Sequence, residues 1–526
     1  MTPYMQFRLW LRDASRAEHT VTAIVLGVIA SLLVVSLAAR PDDRSSGSNL
    51  AADRLAAGSD EASAGEPASG GGQDAAGLDV AQPGEAPRSG SSAARAGSGA
   101  GAGSRGGLTA TTGAASGGGG AAAPGRVRRT ASDRGVTDSD IKLGFMLQNS
   151  AGLNSAGFST GQRSDGPQYV QALAAYANRH GGAAGRKVVP FFRYTDPTSV
   201  GDAAAACQAM VNDQKVFGVV DVAAIVDTGG IDCIANRGNT PYVHSIQWSR
   251  DWQRRSRGND ISYQAAIDRI SITWARDLAA TGWLGKDAVV GILGDKCPAT
   301  EPTIVRVLKP ALERAGAKEV VVGDHDCTIE AVASQPPNIA TRFRLEGVTH
   351  VLIVSNFVSG QVFLSAAASQ GFKPKYSVSD WFVMSADATT MNYDPNQFDG
   401  AIGIASLGHM LERSGKPPYP GTERCSRVAT EAKLPPITHA SSSTELLSLC
   451  DNFFLMIDAI NAAGPNPTRG SWVKAVEGLG ERMSAQYGPS RFAPGKLSGS
   501  DQVHTIRWER GCRCWKSVSG FRPAAA

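Results

Sequence analysis

The middle of this 526-residue chain alternates short apolar runs with amphipathic stretches, and this alternation constrains the fold more than any other feature. The run IKLGFML at 141–147 has the length and composition of a buried strand. A helical pattern follows at 169–176 and ends at Gly181-Gly182. The same reasoning predicts strands at 188–194, 216–221, 240–243, 288–293, 320–322, 350–355 and 376–379, and helices at 202–212, 268–281, 301–315 and 360–370.

Repeated strand–helix units with apolar strands predict an α/β fold in which mostly parallel sheets are flanked by helices. The pattern falls into two similar blocks, Asp140–Ser262 and Tyr263–Ser379. A folded region of about 385 residues is large for one doubly wound sheet, so we expect two lobes with a cleft between them. In such sheets, ligands bind at the carboxyl ends of the strands.

The stretch Thr20–Ala39 near the N-terminus is apolar and contains no charged side chain. As a helix it would extend about 30 Å, the thickness of a bilayer's hydrocarbon core. Three arginines at positions 8, 12 and 16 precede it, which predicts a short cytoplasmic segment at 1–19 and an extracytoplasmic remainder. A cleaved signal peptide is the alternative, since Ser-Leu-Ala at 36–38 resembles a cleavage site. The length of the run favours an uncleaved anchor.

The segment 40–136 lacks a hydrophobic period and has the composition of a disordered tether. Gly, Ala and Ser make up most of Ser91–Gly120, which leaves too few apolar groups to offset the entropy of ordering. The pattern G-x-G-x-x-G at 101–106 follows no strand, so it does not indicate a dinucleotide site. A basic cluster with Arg126, Arg128, Arg129 and Arg134 closes the tether and is expected to be a solvated linker end, with contact to anionic lipid or wall polymer as the alternative.

The ordered series of elements resembles the type I periplasmic binding proteins, in particular the branched-chain amino-acid type of ABC transporter substrate-binding protein. The similar stretches are IKLGFML, CQAMVNDQKVFGVV, VTHVLIVSNFVSGQVFLSAAASQGFKPKYSVSDWF, FDGAIGIAS and the final GPSRFAPGKLSGSDQVHTIRWERGCRCWK. The resemblance covers roughly Thr137–Phe521. No single motif in it is specific.

The resemblance implies three crossovers between the lobes, near Tyr263, Ser406 and Phe492. The first lobe would then comprise 137–262 plus 407–492, and the second lobe 263–406 plus 493–521. It also implies a function: closure of the two lobes on a small molecule that is bound without being transformed.

Eight cysteines all lie in the folded region, and eight allow 105 pairings. Their number agrees with an exported domain whose disulfides form in an oxidising compartment. The resemblance favours Cys207–Cys233, and neighbour pairing then suggests Cys297–Cys327 and Cys425–Cys450. Cys512 and Cys514 lie two apart on a predicted strand, where a bond would close a tight ring.

Signals for an enzyme or a metal site are weak in this sequence. The pattern G-x-S-x-G at 157–161 lies in a loop and not directly after a strand, where a nucleophile elbow requires it. Four potential metal ligands are adjacent in Asp324–Cys327. Side chains of adjacent residues cannot easily converge on one tetrahedral ion, and Cys327 has an expected disulfide partner. We therefore expect no enzyme activity, no metal and no cofactor. The net charge of +4 is too small to indicate a nucleic-acid partner.

The predicted ligand-binding residues lie in loops that strand order places at the cleft. Polar groups would orient the ligand, and aromatic groups would cover its apolar part. The candidates are Gln148, Asn149, Asp227, Ser245, Gln247, Tyr263, Asn356, Phe357, Asp380 and Trp381.

In amino-acid-binding relatives an acid of the second lobe pairs with the ligand ammonium, and Asp380 matches that place. First-lobe hydroxyls take the carboxylate, and Ser245 is the nearest match. Two loops depart from the pattern: 222–225 lacks hydroxyls and Asp295–Ala299 lacks an aromatic. Another small polar or amphipathic ligand is therefore as plausible as an amino acid.

The arginine-rich stretch SRDWQRRSR at Ser249–Arg257 is expected to be an exposed loop at the lobe rim. Contact with an anionic ligand or partner is the alternative for this stretch. For the whole chain, delivery of the ligand to an ABC-type permease is the first functional hypothesis. A membrane-tethered sensing receptor is the second, and an extracytoplasmic hydrolase, which depends on G-x-S-x-G alone, is a remote third.

Overall fold

This computed structural model describes residues 127–155, 158, 164–196, 199–222, 231–246, 248–408, 420–437 and 444–525. The expected membrane segment at 20–39 and nearly all of the expected tether lie outside the described residues. The end of the tether is described, and the prediction of a solvated linker end was wrong for Arg134. Its guanidinium is half-buried and donates to the carbonyls of Val216 and Gly238, both at 3.3 Å. Within the described ranges, no helix is long and apolar enough to cross a membrane.

Fifteen strands occur in the described part of the chain. They are β1 Asp140–Gln148, β2 Lys187–Thr195, β3 Gly218–Asp221, β4 Tyr242–His244, β5 Asp260–Ile261, β6 Val289–Asp295, β7 Glu319–His325, β8 His350–Ile353, β9 Lys375–Val378, β10 Ile402–Ala405, β11 Gly480–Arg482, β12 Ser490–Phe492, β13 Gln502–Glu509, β14 Cys514–Ser517 and β15 Arg522–Pro523.

The α-helices of the described ranges are α1 Ala151–Ser155, α2 Gly166–Arg179, α3 Val200–Cys207, α4 Arg250–Arg255, α5 Ile267–Ala280, α6 Glu301–Thr303, α7 Lys309–Arg314, α8 Ile329–Ser334, α9 Pro336–Leu345, α10 Phe357–Ser369, α11 Asp387–Thr390, α12 Pro395–Phe398, α13 Gly421–Glu431, α14 Thr444–Ala462 and α15 Arg469–Glu477. Wider π-helical turns occupy Gln208–Asp213, Asp232–Arg237 and Ile304–Leu308, and a 3-10 turn occupies Trp381–Val383.

The first sheet has five parallel strands in the order β2-β1-β3-β4-β5. Its central strand β3 is buried along its whole length, as expected for a strand covered on both faces. The long helix α14 packs on β3 and β4 although it comes much later in the chain. Asp221 of β3 and Asn452 of α14, for example, are hydrogen-bonded across a sequence separation of 231. The first lobe is therefore built from two separate parts of the chain.

The second sheet runs β14-β13-β10-β9-β8-β6-β7, with β15 paired to β13. Strands β6 to β10 pair in parallel, whereas β13 is antiparallel to both β10 and β14. Strand β6 is buried along its whole length. The predicted α/β architecture, with mostly parallel sheets flanked by helices, is confirmed.

Three connections between the sheets lie side by side. Ser262, just after β5, bridges to Ser498, and Leu407, just after β10, bridges to Tyr487. The Gly499 amide donates to the carbonyl of Ser262 at 2.8 Å, so the returning chain is joined to the first connection. Backbone pairing of this kind leaves a narrow hinge about which lobes can rotate.

Four disulfides are present among the described residues: Cys207–Cys233, Cys297–Cys327, Cys425–Cys450 and Cys512–Cys514. The first three are the predicted pairings. The expectation that Cys512 and Cys514 share a strand was wrong. Cys512 lies in the turn between β13 and β14, and Cys514 begins β14. The turn brings the two sulfurs together, which a straight strand would not do.

Candidate functional site

The carboxyl edges of the two sheets meet at an aromatic contact. Trp248 follows β4 of the first sheet, and Phe382 follows β9 of the second. Their rings meet edge to face with centroids 6.0 Å apart. The loops that parallel strands present at their carboxyl ends therefore face each other across the cleft, the arrangement expected of a ligand site.

Ser245 is fixed at this edge by residues from the far part of the chain. Its hydroxyl accepts from Asn452 Nδ2 at 3.1 Å, and its carbonyl accepts from the Tyr487 hydroxyl at 3.2 Å. Asn452 also donates to the carbonyl of Asp221 at the end of β3. One side-chain amide of α14 thus links the end of β3 to the residue that follows β4.

Gln148 and Asn149 end β1 and begin the next turn. The Gln148 amide donates to the Ser150 hydroxyl at 2.7 Å, and Asn149 Oδ1 accepts from the Ala151 amide at 3.2 Å. Gln148 is half-buried and Asn149 is exposed. Both side chains therefore remain near solvent at the carboxyl edge.

Tyr263 lies in the first connection between the lobes. It packs edge to face against Phe492, with ring centroids 5.6 Å apart. Burial, reinforced by the charge of Asp451, raises the pKa of its hydroxyl far above the usual value. The phenol is therefore uncharged at physiological pH and belongs to the hinge.

Asn356 and Phe357 begin α10 at the end of β8. Asn356 Oδ1 accepts from the amides of Val358 and Ser359, both at 3.1 Å, so Asn356 is the N-cap of this helix. Phe357 is buried in the first turn. The side chain of Asn356 is thus already engaged in local structure.

Asp380 is fully buried at the end of β9. Its carboxylate accepts from the Ser406 amide at 2.6 Å and from the hydroxyls of Ser385 and Ser406. The Gln264 side chain donates to the Asp380 carbonyl. Asp380 therefore binds the first inter-lobe connection, through Gln264, and the second, through Ser406, to the second lobe.

Trp381 begins a turn whose backbone is strained. Phe382 and Val383 have φ of 50° and 57°, the left-handed region that non-glycine residues rarely adopt. Trp381 is buried, and its indole N–H has no acceptor among the described residues. Such strain accumulates at ligand-binding sites, where the surrounding structure enforces it.

Two acids lie at the ends of β6 and β7, of which Asp295 is buried and Asp324 is half-buried. Burial raises the pKa of Asp295 to about 6, although the Thr300 hydroxyl and the Cys297 amide donate to its carboxylate. Burial, together with the charge of Asp295, likewise raises the pKa of Asp324 to about 6. Beside them His325 contacts the hydroxyls of Ser355 and Ser359 at 2.6 and 2.9 Å, and burial lowers its pKa.

The structure thus brings Ser245, Tyr263, Asp380 and Trp381 to the hinge side of the cleft. Asn356 and Phe357 lie at the end of β8. Asp227 and Gln247 lie outside the described residues. Direct contact of the ten predicted side chains with a ligand stays a prediction.

The sequence patterns did not identify the supporting groups Phe382, Asn452, Tyr487 and Ser385, and they indicated Ser406 only as the place of a crossover. The positions of these groups depend on the connections between the lobes. For Phe382, its adjacency to Trp381 was a further signal in the sequence.

The two weak motifs noted in the sequence differ in how far the structure describes them. Ser159 of G-x-S-x-G lies outside the described residues. Cys327 is held in the disulfide with Cys297. In the part of the chain that the structure describes, no group of three or more His, Cys, Asp or Glu side chains is placed to hold a metal ion.

The sequence model of the periplasmic binding protein family matches residues 155–511. The chain belongs to this family. A comparison with curated proteins found no match. Family membership places the folded domain outside the cytoplasm and agrees with a binding function, since members of the family bind solutes.

Solved structures of similar fold support the architecture at low sequence identity. A fatty acid ABC transporter substrate-binding protein from Thermomonospora curvata is 15% identical, with a TM-score of 0.56, and the match covers 75% of this chain and 95% of that one. A branched-chain amino acid ABC transporter structure from Thermus thermophilus with bound valine is 13% identical, with a TM-score of 0.55 and coverage of 74% and 97%. An R. palustris solute-binding protein in complex with 4-hydroxybenzoate is 12% identical, with a TM-score of 0.56 and coverage of 74% and 98%.

Proposed function

We propose that this chain closes its two lobes on a small solute and delivers it to an ABC-type permease. The contact between Trp248 and Phe382 carries this proposal, because it joins the carboxyl edges of two parallel sheets that a hinge connects. A solute bound there touches both lobes only when they are closed. Binding therefore stabilises the closed state by the free energy of the added contacts.

The solute class is a small polar or amphipathic molecule. Fatty acid, valine and 4-hydroxybenzoate, named for three proteins of similar fold, all carry a carboxylate. Ser245 and the amides at the end of β1 would orient such a group in this chain. Aromatic side chains around Trp248 and Phe382 would cover an apolar part.

A thermal-shift screen of the full-length chain tests the binding function. The panel contains branched-chain amino acids, hydroxybenzoates and medium-chain fatty acids. A solute at about 100 times its dissociation constant stabilises the folded state by about 2.7 kcal/mol, which gives a clear rise in Tm. No rise with any compound in a broad metabolite panel would count against the proposal.

Delivery is tested separately, by uptake of the identified solute in cells that lack this chain. We expect uptake to fall at low external concentration and to return when the gene is restored. Normal uptake in those cells, with binding intact in the purified protein, would reject delivery and favour the sensing receptor.

We further propose that Thr20–Ala39 anchors the chain in the membrane, with the folded domain outside. The observation behind this is the uncharged run itself, with arginines before it. Intact-mass measurement of the protein purified from cells distinguishes an uncleaved anchor from a cleaved signal peptide. A mass that includes the segment 1–39 supports an anchor, and loss of that segment shows a cleaved signal peptide.

A further inference from the structure

A cavity of about 310 Å³ opens between the two lobes beside the loop that contains Trp248. The first lobe contributes Ser249 and the helix α4, which lies between β4 and β5. The arginine-rich stretch that was expected to be a loop is thus largely helical. The second lobe contributes Asp268 and residues between Pro298 and Val307, which follow β6. The cavity volume is at the lower end of the range for small-molecule sites.

The walls of this cavity carry more positive than negative charge. Four arginines line it, namely Arg250, Arg254, Arg255 and Arg306, together with the two acids Asp251 and Asp268. Arg250 pairs with Asp268, and Arg254 pairs with Asp251. The guanidinium groups of Arg255 and Arg306 form no ion pair or hydrogen bond with the described residues. The Arg255 group belongs to the first lobe, and the Arg306 group belongs to the second lobe.

One wall of the cavity is apolar and aromatic. Trp252 is buried, and the Arg255 guanidinium lies 4.9 Å from the centre of its ring. The Trp252 indole N–H has no hydrogen-bond acceptor among the described residues. Pro298, Ala299 and Pro302 complete the apolar surface. A solute that matches these walls has acidic groups for the arginines and a short apolar body.

We propose that this cavity is a second ligand site, for a small organic anion that bridges Arg255 and Arg306. The anion carries carboxylate or phosphate oxygens, which guanidinium groups bind as pairs of charge-assisted hydrogen bonds. Because the two arginines belong to different lobes, the site is complete only when the lobes are close. Anion binding therefore favours the closed state and raises the affinity of the cleft for its solute.

None of the described residues among those predicted to contact the cleft solute lines this cavity, and the proposed site requires only the two-lobed fold. Arg250–Asp268 shows that the lobes already exchange one ion pair at the same rim. The anion would add two further contacts of the same kind. It acts as an effector of closure, whatever solute the cleft binds.

Calorimetric titration of the full-length chain tests the proposal with glutarate, inorganic phosphate and neutral glutaramide as probes. We expect saturable binding of glutarate or phosphate, weaker binding at higher ionic strength, and no binding of glutaramide. The stronger of the two anions identifies the acidic group. Small-angle X-ray scattering should show a smaller radius of gyration with that anion present.

Four variants locate the binding. Arg255→Gln and Arg306→Gln should each weaken anion binding about tenfold or more and abolish the compaction, since each removes a charged hydrogen-bond donor. Arg257→Gln and Arg314→Gln are matched controls, because both arginines are exposed, near the cavity in sequence, and absent from its walls. We expect both controls to bind as the unaltered chain does.

Three results would overturn the proposal. They are equal binding of glutaramide, unchanged anion binding in both Arg255→Gln and Arg306→Gln, or an equal loss in the controls, which would indicate general surface charge. The thermal-shift screen for the cleft solute can fail while anion binding is intact. That outcome would reject the proposed binding of a solute in the cleft and would not affect the proposed anion site.

Discussion

Asp380 is a residue whose sequence position suggested one role and whose surroundings suggest another. The match to amino-acid-binding relatives predicts that it pairs with a ligand ammonium. In the structure its carboxylate accepts from the Ser406 amide and from two hydroxyls. These donors make the side chain a fixed part of the hinge, since an unpaired buried carboxylate would be costly.

Asp380→Asn should therefore lower the free energy of unfolding by about 2–3 kcal/mol, because neutral hydrogen bonds replace charge-assisted ones and a donor takes the place of one of the two acceptor oxygens. Urea unfolding of the full-length chain measures the loss. Asp399→Asn is the control, since Asp399 is half-exposed and paired with Arg510. Unchanged stability with a large loss of solute affinity would instead establish the ammonium-binding role.

Asp295 makes the stability of the fold depend on pH. Its pKa is raised from 3.8 to about 6 by burial, so the folded state holds the proton over a range in which the unfolded chain has lost it. Stability is therefore greatest below about pH 4 for this group and falls as pH rises through about 6. The full effect is on the order of 2–3 kcal/mol.

Asp295→Asn should flatten this part of the pH profile, since the amide keeps an acceptor oxygen for Thr300 and Cys297 and does not titrate. Urea unfolding at intervals between pH 4 and pH 7 gives the two slopes. Asp324 and Asp451 also have pKa values raised to about 6, so part of the slope should persist. A slope identical to that of the unaltered chain would show that Asp295 is ionised throughout.

At the level of secondary-structure elements, the disulfides differ in the length of chain that they enclose. Cys297 and Cys327 lie just after β6 and β7, so their bond joins neighbouring loops at the carboxyl edge of the second sheet. Cys512 and Cys514, in contrast, are separated by only two positions in sequence. The first bond constrains the unfolded chain far more than the second.

Replacing Cys297 and Cys327 with serine should cost about 3–4 kcal/mol of stability, whereas the same change at Cys512 and Cys514 should cost much less. Thermal unfolding of the two double variants under oxidising conditions compares them directly. Similar losses for both pairs would show that the loop-entropy account fails here.

Helix α3 shows what periodicity misses within an element. The predicted helix at 202–212 exists, but it is α-helical only to Cys207 and continues as a π-helical turn to Asp213. The side-chain pattern shows which face is apolar, and Met210 and Val211 are buried as that pattern predicts, but it contains no signal for the change to wider hydrogen bonding. The bounds of several strands also differ slightly from the predicted bounds, because a strand ends where its hydrogen bonding to the neighbouring strand ends.

At the scale of the whole molecule, closure depends on contacts between the lobes at the cleft. Phe382 meets Trp248 across it, and an aromatic pair of this geometry contributes about 0.5–1.5 kcal/mol beyond the area it buries. Phe382→Leu keeps an apolar side chain and removes the edge-to-face contact. Solute affinity should therefore fall about two- to tenfold, as calorimetry would show for the solute found by screening.

Phe363→Leu is the control for this change. Phe363 makes a similar edge-to-face contact with Phe343, with centroids 5.8 Å apart, inside the second lobe. It should lose stability and keep solute affinity. Equal affinity of Phe382→Leu and the unaltered chain would mean that the aromatic contact does not contribute to closure.

The sequence specifies the alternation of strands and helices, and with it the α/β class and the doubling into two blocks. It could do so because buried strands and amphipathic helices differ in length and period, which are local properties of the chain. The same local information identified Asp380, Trp381 and Ser245 at strand ends.

The contacts of those residues, in contrast, depend on tertiary structure. Asn452 reaches Ser245 across a sequence separation of 207, and Gln264 reaches Asp380 across one of 116. Arg255 and Arg306 likewise come to one cavity from different lobes. These contacts join residues that are far apart in sequence. They form because the chain crosses three times between the lobes, and no local sequence pattern encodes which distant residues then meet.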